Sequence, residues 1–409
     1  MKFTFLSLTF CLMLSISGFS QTLEGLLMIA AENNPGLKGK YKAFEAALEK
    51  IPQAQSLNDP NLSFGYFISP VETRLGPQRL RLSLTQMFPW FGTLRTKGEV
   101  ATVLAEVKYQ EFLNARNGLY YEISAVYYPL LETMELMEIE KENLQILETY
   151  KSIATSTFEN GKGSMTDVLR VDIMNTTSQT SLDVLYKKVY AAKARLNAIL
   201  GREPDSPIEI DEKLPLPKDL HPLYYDAIKY NPLLESMDLK IQAAELNQKL
   251  AVKNGLPQLG VGIDYVTIGE RKDLLIVENG KNTLMPTLSM SLPLFRKKYR
   301  AAEKEALLLS ESYQAEKQDI SHRLQGSFYR YKVEMEIQLE LIDSFDRQIK
   351  TSKQTLDLLY SAYANSGENF EEVLRLQQQL LEYNKMKVKA SVAYHLAEAQ
   401  INYLTAKSY

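Results

Sequence analysis

Met87-Phe88-Pro89-Trp90-Phe91 orders the rest of the chain, because it returns 204 residues later as Ser291-Leu292-Pro293-Leu294-Phe295. Upstream of it, Asn34-Pro35-Gly36-Leu37 recurs as Asn231-Pro232-Leu233-Leu234, and Pro60-Asn61-Leu62 as Pro257-Gln258-Leu259, both at an offset of 197. Downstream, Asp167-Val168-Leu169-Arg170 recurs as Glu372-Val373-Leu374-Arg375 at 205. Ordered matches at a nearly constant offset mark a tandem duplication. The drift in offset places a longer loop in the second copy. Residues 21–201 form the first repeat and 223–409 the second; the join at 202–222 carries Pro204, Pro207, Pro215, Pro217 and Pro222 and reads as an extended linker.

Each repeat reads as helix, strand, strand, long helix, tight turn, long helix, so the fold is mainly α with a small β part. The long helices carry an apolar stripe at alternating three- and four-residue steps. One stripe runs Leu324, Phe328, Tyr331, Met335, Gln338, Ile342, Phe345, Ile349, Ser352, Leu356, Leu359, Tyr363. Its counterpart in the first copy runs Leu119, Ile123, Val126, Leu130, Thr133, Met137, Glu140, Leu144, Leu147, Lys151, Ala154, Phe158. The last helix carries its stripe from Val373 to Leu404 with only Lys387 out of place, and Val168 through Ile199, with Asn175 and Ser178 in the stripe, is its partner. A sustained 3.5-residue repeat winds antiparallel helices into left-handed coiled coils. The hairpins span about 92–200 and 296–407, and a helix from Gly92 to Phe158 is roughly 100 Å long. Gly118 and Pro129 are expected to bend it locally.

Between short and long helices, four stretches alternate. In 60–69, Leu62, Phe64, Tyr66 and Ile68 alternate with Asn61, Ser63 and Gly65; in 79–88, Leu80, Leu82 and Leu84 alternate with Arg79, Arg81, Ser83 and Thr85. In 257–267, Leu259, Val261, Ile263 and Tyr265 alternate with Gln258, Gly260, Gly262 and Asp264; in 284–293, Leu284, Leu288, Met290 and Leu292 alternate with Met285, Thr287, Ser289 and Ser291. Length and period suit strands of a transmembrane barrel, though a soluble sandwich alternates as well. Two hairpins cannot close a barrel alone and open edges are not tolerated in lipid, so transmembrane strands require oligomerisation. The barrel reading puts Arg79, Arg81, Ser83, Thr85, Gln258, Asp264, Thr287 and Ser289 in the lumen. It turns the leucines toward lipid and the Ser69–Gln78 and Ile268–Thr283 connections toward the cell exterior.

The first 20 residues read as a secretory signal: Lys2, an apolar core from Phe3 to Leu14, and a small-x-small site at Gly18-Phe19-Ser20. The core is short for a membrane anchor. Cleavage would remove Cys11, the chain's single cysteine, which also lacks a lipid-attachment context because Phe10 precedes it. The longest later apolar run is Leu26–Ala31, too short for a transmembrane helix. Net charge −3 with no basic face argues against nucleic acid. His221, His322 and His395 lack ligand spacing, the 13 methionines are scattered, and no nucleophile triad or phosphate loop occurs, so no metal, cofactor or catalytic site is expected. Glu138, Glu140 and Glu142 are expected on a solvated helix face.

With the duplication, the Asn-Pro pairs at 34 and 231, the Gln53-Ala54…Asp59-Pro60-Asn61-Leu62 helix-to-strand junction, the Gln86-Met87-Phe88-Pro89-Trp90-Phe91-Gly92 exit and the Gly163…Asp167 and Gly367…Glu372 turns, the chain resembles the TolC family of outer-membrane efflux proteins from Leu23 to Leu404. The resemblance implies a homotrimer, with a shared transmembrane β-barrel and a long α-helical barrel reaching into the periplasm. It further implies docking to a periplasmic adaptor protein and an inner-membrane pump of the resistance-nodulation-division type. The exit motif looks most like the heavy-metal branch, although the chain is short for the family and lacks the lipid cysteine found in some members of that branch. Drug efflux and type I protein secretion are the alternative duties. By the same resemblance the turns at Gly161, Gly163 and Gly367 form the periplasmic entrance. Asp167 and Tyr363 fall where members make a bond between hairpins, and Glu372 falls on an acidic pore ring whose second position is Arg375 here. An adaptor is disfavoured by two hairpins and only four strands, and a purely structural envelope protein leaves the strand pairs unexplained.

Overall fold

A computed structural model describes residues 22–210, 212–217, 219–220, 225–273, 276–366 and 370–407, with 364–366 described by backbone alone. In the first copy, α1 (Leu23–Asn33), α2 (Pro35–Leu48) and α3 (Lys50–Gln55) lead into β1 (Asn61–Thr73) and β2 (Gly76–Phe88), then α4 (Thr93–Glu159) and α5 (Met165–Ile199). The second copy has a short 3-10 turn (Tyr225–Tyr230), α6 (Pro232–Asn254), β3 (Leu259–Ile268), β4 (Thr283–Met290), α7 (Lys297–Ser366) and α8 (Phe370–Leu404). Both copies therefore run in the same order, short helices first, then a strand pair, then a long helical hairpin.

The Asn-Pro pairs have a physical role in both copies. Asn34 Oδ1 caps α2 by accepting from Leu37 N at 3.0 Å, and its Nδ2 donates to the last-turn carbonyl of Ile199 at 3.0 Å. Asn231 does the same, accepting from Leu233 N at 2.9 Å and donating to Leu404 O at 2.9 Å. Each proline then occupies the first helical turn, where its missing N–H costs nothing. One side chain thus satisfies orphan groups at the start of one helix and the end of another.

Helices α4 and α7, 67 and 70 residues long, run unbroken, α4 continuing through Gly118 and Pro129. Each packs along its hairpin partner, and α4 also lies against α6 and α8. The stripe is the core: Leu119, Ile123, Val126, Leu130 and Leu147 of α4 and Val373, Leu380, Tyr394 and Ile401 of α8 are buried. No described helix is long and apolar enough to cross a membrane.

The two strand hairpins join through β2–β3 into one antiparallel sheet of order β1-β2-β3-β4. Register places Phe64, Leu82, Tyr265 and Leu284 in one row, and Leu62, Leu84, Ile263 and Pro286 in another. The intervening row is Ser63, Ser83, Asp264 and Met285. Period-2 alternation therefore agrees across all four strands, giving one continuous apolar face and one mainly polar face. The apolar face is largely exposed in the chain, with Leu62, Phe64, Tyr66, Leu84, Ile263 and Leu284 all open.

The first connection differs from expectation. Ser69–Gln78 is not a loop: β1 continues to Thr73 and β2 begins at Gly76, leaving a two-residue turn. Pro70, which lacks a ladder donor, falls inside this extension of β1. A register break between Tyr66 and Val71 absorbs it, and pairing resumes at Val71–Gln78. Gly76 (φ 128) is required at the turn, since a Cβ there would come within 1.8 Å of Gly269 O. The β3–β4 connection folds over this turn: Gly269 N donates to Pro77 O at 2.7 Å and Gly280 N to Leu75 O at 2.8 Å.

Candidate functional site

Three levels of the molecule bear on function: the helix tips, a buried polar band behind them in the coiled coil, and the polar face of the sheet. At the tips, α4 ends in a turn where Gly161 takes φ 73 and the amides of Lys162 and Gly163 both donate to Thr157 O. Ser164 caps α5 by accepting from Thr166 N at 3.2 Å. The matching turn of the second hairpin, with Gly367, lies outside the described residues.

Behind the turns, the hairpins meet through an aromatic cluster. The Tyr363 ring stacks on Phe370 at 4.4 Å, and Tyr150 meets Phe370 edge-on at 6.2 Å and Tyr360 at 5.9 Å. Val168, Val171, Val373 and Leu374 fill the gaps. Tyr363 is only 1% exposed, and its hydroxyl, beside the Thr157 side chain, makes no hydrogen bond of good geometry among the described residues. The bond to Asp167 that the family resemblance implied is thus not formed within this chain; Tyr363 serves as a packed aromatic. Burial raises the Tyr363 pKa above its ordinary value; interaction with the Thr157 side chain opposes the rise, and the nearby Asp167 charge adds slightly to it. Tyr150 is pushed up to about 12, chiefly by burial.

Glu372 and Arg375 pair with one another on α8, Arg375 Nε donating at 3.0 Å. The hydrogen bonds lower the Glu372 pKa and raise that of Arg375. Sequence reasoning missed the ion pair that crosses between the hairpins at this level. Arg170 Nη1 of α5 lies 2.8 Å from Glu371 Oε2 of α8. Arg170 closes the recurring Asp167-Val168-Leu169-Arg170 motif and Glu371 immediately precedes its second copy, so both stood beside the motif without any signal of partnership.

The polar band corrects a second expectation. Glu140 is not solvated; it is 1% exposed. Its Oε1 accepts from Ser181 Oγ of α5 at 2.8 Å and faces Lys385 Nζ of α8 at 2.7 Å. One turn along, Asn143 Nδ2 donates to Ser178 Oγ at 2.7 Å, and Gln377 Nε2 donates to Asn143 Oδ1 at 3.1 Å. Glu140 and Ser178 occupy stripe positions, which was the available signal. Lys387, the break in the α8 stripe, reaches Asp346 of α7 at 2.5 Å.

On the sheet, Ser83 and Asp264 face each other in register, as do Thr85, Gly262 and Thr287, and Gly260 and Ser289. Arg81 pairs with Asp264 across β2 and β3. Gln258 lies just before β3, its amide donating to Ser291 Oγ at 2.9 Å. Arg79 sits at a register break between Gln78 and Leu80 and is exposed.

His395 is packed, its ring stacked on Tyr128 at 4.9 Å and its Nε2 2.8 Å from Pro215 O; His322 is exposed, and His221 lies outside the described residues. No group of three or more metal-ligating residues occurs among the described residues.

Long antiparallel coiled coils joined to a small sheet with one exposed apolar face make a fold that the chain shares with solved outer-membrane channel structures. The chain superposes on CusC with a TM-score of 0.77 at 13% identity, covering 94% of this chain and 92% of that one. It superposes on the outer-membrane protein VceC of Vibrio cholerae at 0.75 and 18% identity, covering 94% and 96%. In sequence it is similar to the outer membrane efflux protein BepC of Brucella suis biovar 1 (strain 1330), 23% identical over 251 residues. That alignment takes in 60% of this chain and 55% of BepC, so the match spans about half the relative's length. No protein-family model matches the chain.

Proposed function

We propose that the chain is the outer-membrane exit duct of a tripartite efflux pump, a passive channel rather than an enzyme. The sheet supports this most directly: one face is apolar and largely exposed, while β1 and β4 have unpaired outer edges among the described residues. Such a face suits lipid, and such edges do not. Three copies arranged as a homotrimer would pair β4 of one chain with β1 of the next and close the barrel. Arg81, Ser83, Thr85, Asp264, Thr287 and Ser289 then line the lumen, with Arg79 and Gln258 at its ends. The coiled coils extend into the periplasm, and their tips form the entrance, facing an adaptor protein and an inner-membrane pump of the resistance-nodulation-division type.

Two links between the hairpins hold the entrance closed in this reading: the Tyr150–Phe370 contact and the Arg170–Glu371 pair. The pump selects the cargo, and the exit motif at Gln86–Gly92 favours a heavy-metal pump. The deciding experiment fractionates cells and runs the outer-membrane material unheated and heated on a denaturing gel. A heat-modifiable trimer that conducts ions in planar bilayers supports the proposal. A monomer released with the soluble periplasm refutes it.

A further inference from the structure

We propose that the start of α7 carries a docking surface for anionic phospholipid headgroups, in the leaflet that faces the long helices. This surface presupposes the outer-membrane reading. Phe88, Leu259 and Met290 form one row at the lower margin of the sheet, so the chain leaves β2 and β4 at the same level. Both exits are apolar and exposed: Trp90 and Phe91 after β2, and Leu292, Leu294 and Phe295 after β4, the last 84% exposed. Exposed aromatic and aliphatic side chains at a barrel margin belong in the interfacial zone of a bilayer.

Beyond these exits the two copies differ. After Phe91 come Gly92-Thr93-Leu94-Arg95-Thr96; after Phe295 come Arg296-Lys297-Lys298-Tyr299-Arg300. The first copy turns from strand to helix with one cation in that stretch, and Arg95 is matched by Glu99 at 2.9 Å. The turn itself therefore needs no cationic cluster. In the second copy Arg296, Lys297, Lys298 and Arg300 are all exposed, and none forms an ion pair with a carboxylate among the described residues. The first turn of α7 holds no acidic residue. Cations there oppose the helix dipole and one another, so the cluster weakens the isolated chain. Glu303 and Glu305, a turn further along α7, form no ion pair with the cluster among the described residues. Its exposed face is therefore open to counter-charge from outside, immediately beside side chains already placed at the lipid margin. Phosphate-bearing anionic lipids meet both demands, with Lys298 held over the Tyr299 ring at 4.7 Å beneath them.

The test uses the full-length protein in nanodiscs of zwitterionic phosphatidylethanolamine with or without phosphatidylglycerol, reading retained lipids by native mass spectrometry after gentle release. The expected result is a preference for phosphatidylglycerol that declines with added salt. It should fall roughly a hundredfold or more in the variant R296Q/K297Q/K298Q/R300Q, since each of the four cations near a charged bilayer is worth about fivefold. No preference in the parent protein, or an equal one in the variant, overturns the inference while leaving the channel reading intact. Preference for lipopolysaccharide, or for an acidic protein competing with the lipid, overturns the headgroup assignment. Failure of the parent to enter any bilayer overturns the membrane reading, and this inference with it.

Discussion

Removing Lys385 isolates a buried carboxylate. Glu140, its side chain 2% exposed, faces Lys385 Nζ at 2.7 Å and keeps only Ser181 Oγ when that ammonium is gone. Its second oxygen already lacks a partner. Deleting one member of a buried pair costs about 3–5 kcal/mol because the remaining charge stays uncompensated. Lys385 retains 19% side-chain exposure, so water can relieve part of this and the lower end, about 3 kcal/mol, is expected for Lys385→Met. Lys385→Met with Glu140→Gln removes both charges and should recover most of that loss, since replacing a whole buried pair is often near neutral. The assay is denaturant unfolding of purified protein at fixed concentration, followed by helicity, because assembly makes the midpoint depend on concentration. A single variant within about 0.5 kcal/mol of the parent would refute the reasoning, that being the spread of inert surface changes. So would a double variant as damaged as the single.

Leu82→Arg, on the apolar face, should cost roughly 2–4 kcal/mol of barrel stability, whereas Ser83→Arg should assemble and alter ion selectivity; the reverse pattern in a membrane-assembly assay would mean the faces are exchanged. Tyr363→Phe should leave stability unchanged or raise it by about 1 kcal/mol, because a buried hydroxyl without a partner is removed; a clear loss on unfolding would show that the hydroxyl is bonded. In the β3–β4 connection, hydrogen bonds from Arg271 hold the Asp273 carboxyl down at about 2. A folded pKa below the ordinary carboxylate value of about 3.9 means this clasp contributes fully above that value and is lost as pH falls toward 2. Amide-exchange protection across 269–273 and 276–282 should therefore hold at pH 5 and decline only in stronger acid; loss of protection already near pH 5 would count against the clasp.

Much of the architecture was legible because duplication and periodicity are properties of the sequence itself. Asn34 and Asn231 marked equivalent helix starts, and Leu80, Leu82 and Leu84 defined a face that the register of all four strands respects. The Ser69–Gln78 connection was misread because the clean alternation ends at Ile68, while the register break that carries β1 on to Thr73 depends on the partner strand. The polar band was half legible. Glu140 and Ser178 stood in the stripe, but nothing along the chain shows that Lys385 lies opposite Glu140. For Tyr363 the expected hydrogen bond gave way to a stacked ring, a distinction set by Phe370 across the turn.

The two asparagine clasps make the order of the repeats along the chain dispensable. Asn34 ties the start of the first repeat to Ile199 at its end, and Asn231 ties the start of the second to Leu404. Each repeat is thus a closed loop whose two ends already touch. Thr22 and Lys407 also line one shared cavity, so a short bridge could join them. A circularly permuted chain, opened at the exposed Leu216 and running through that bridge from the second repeat into the first, would keep both clasps, both hairpins and the β2–β3 pairing. Which repeat comes first is then a matter of history, and the contacts between them are what the fold requires.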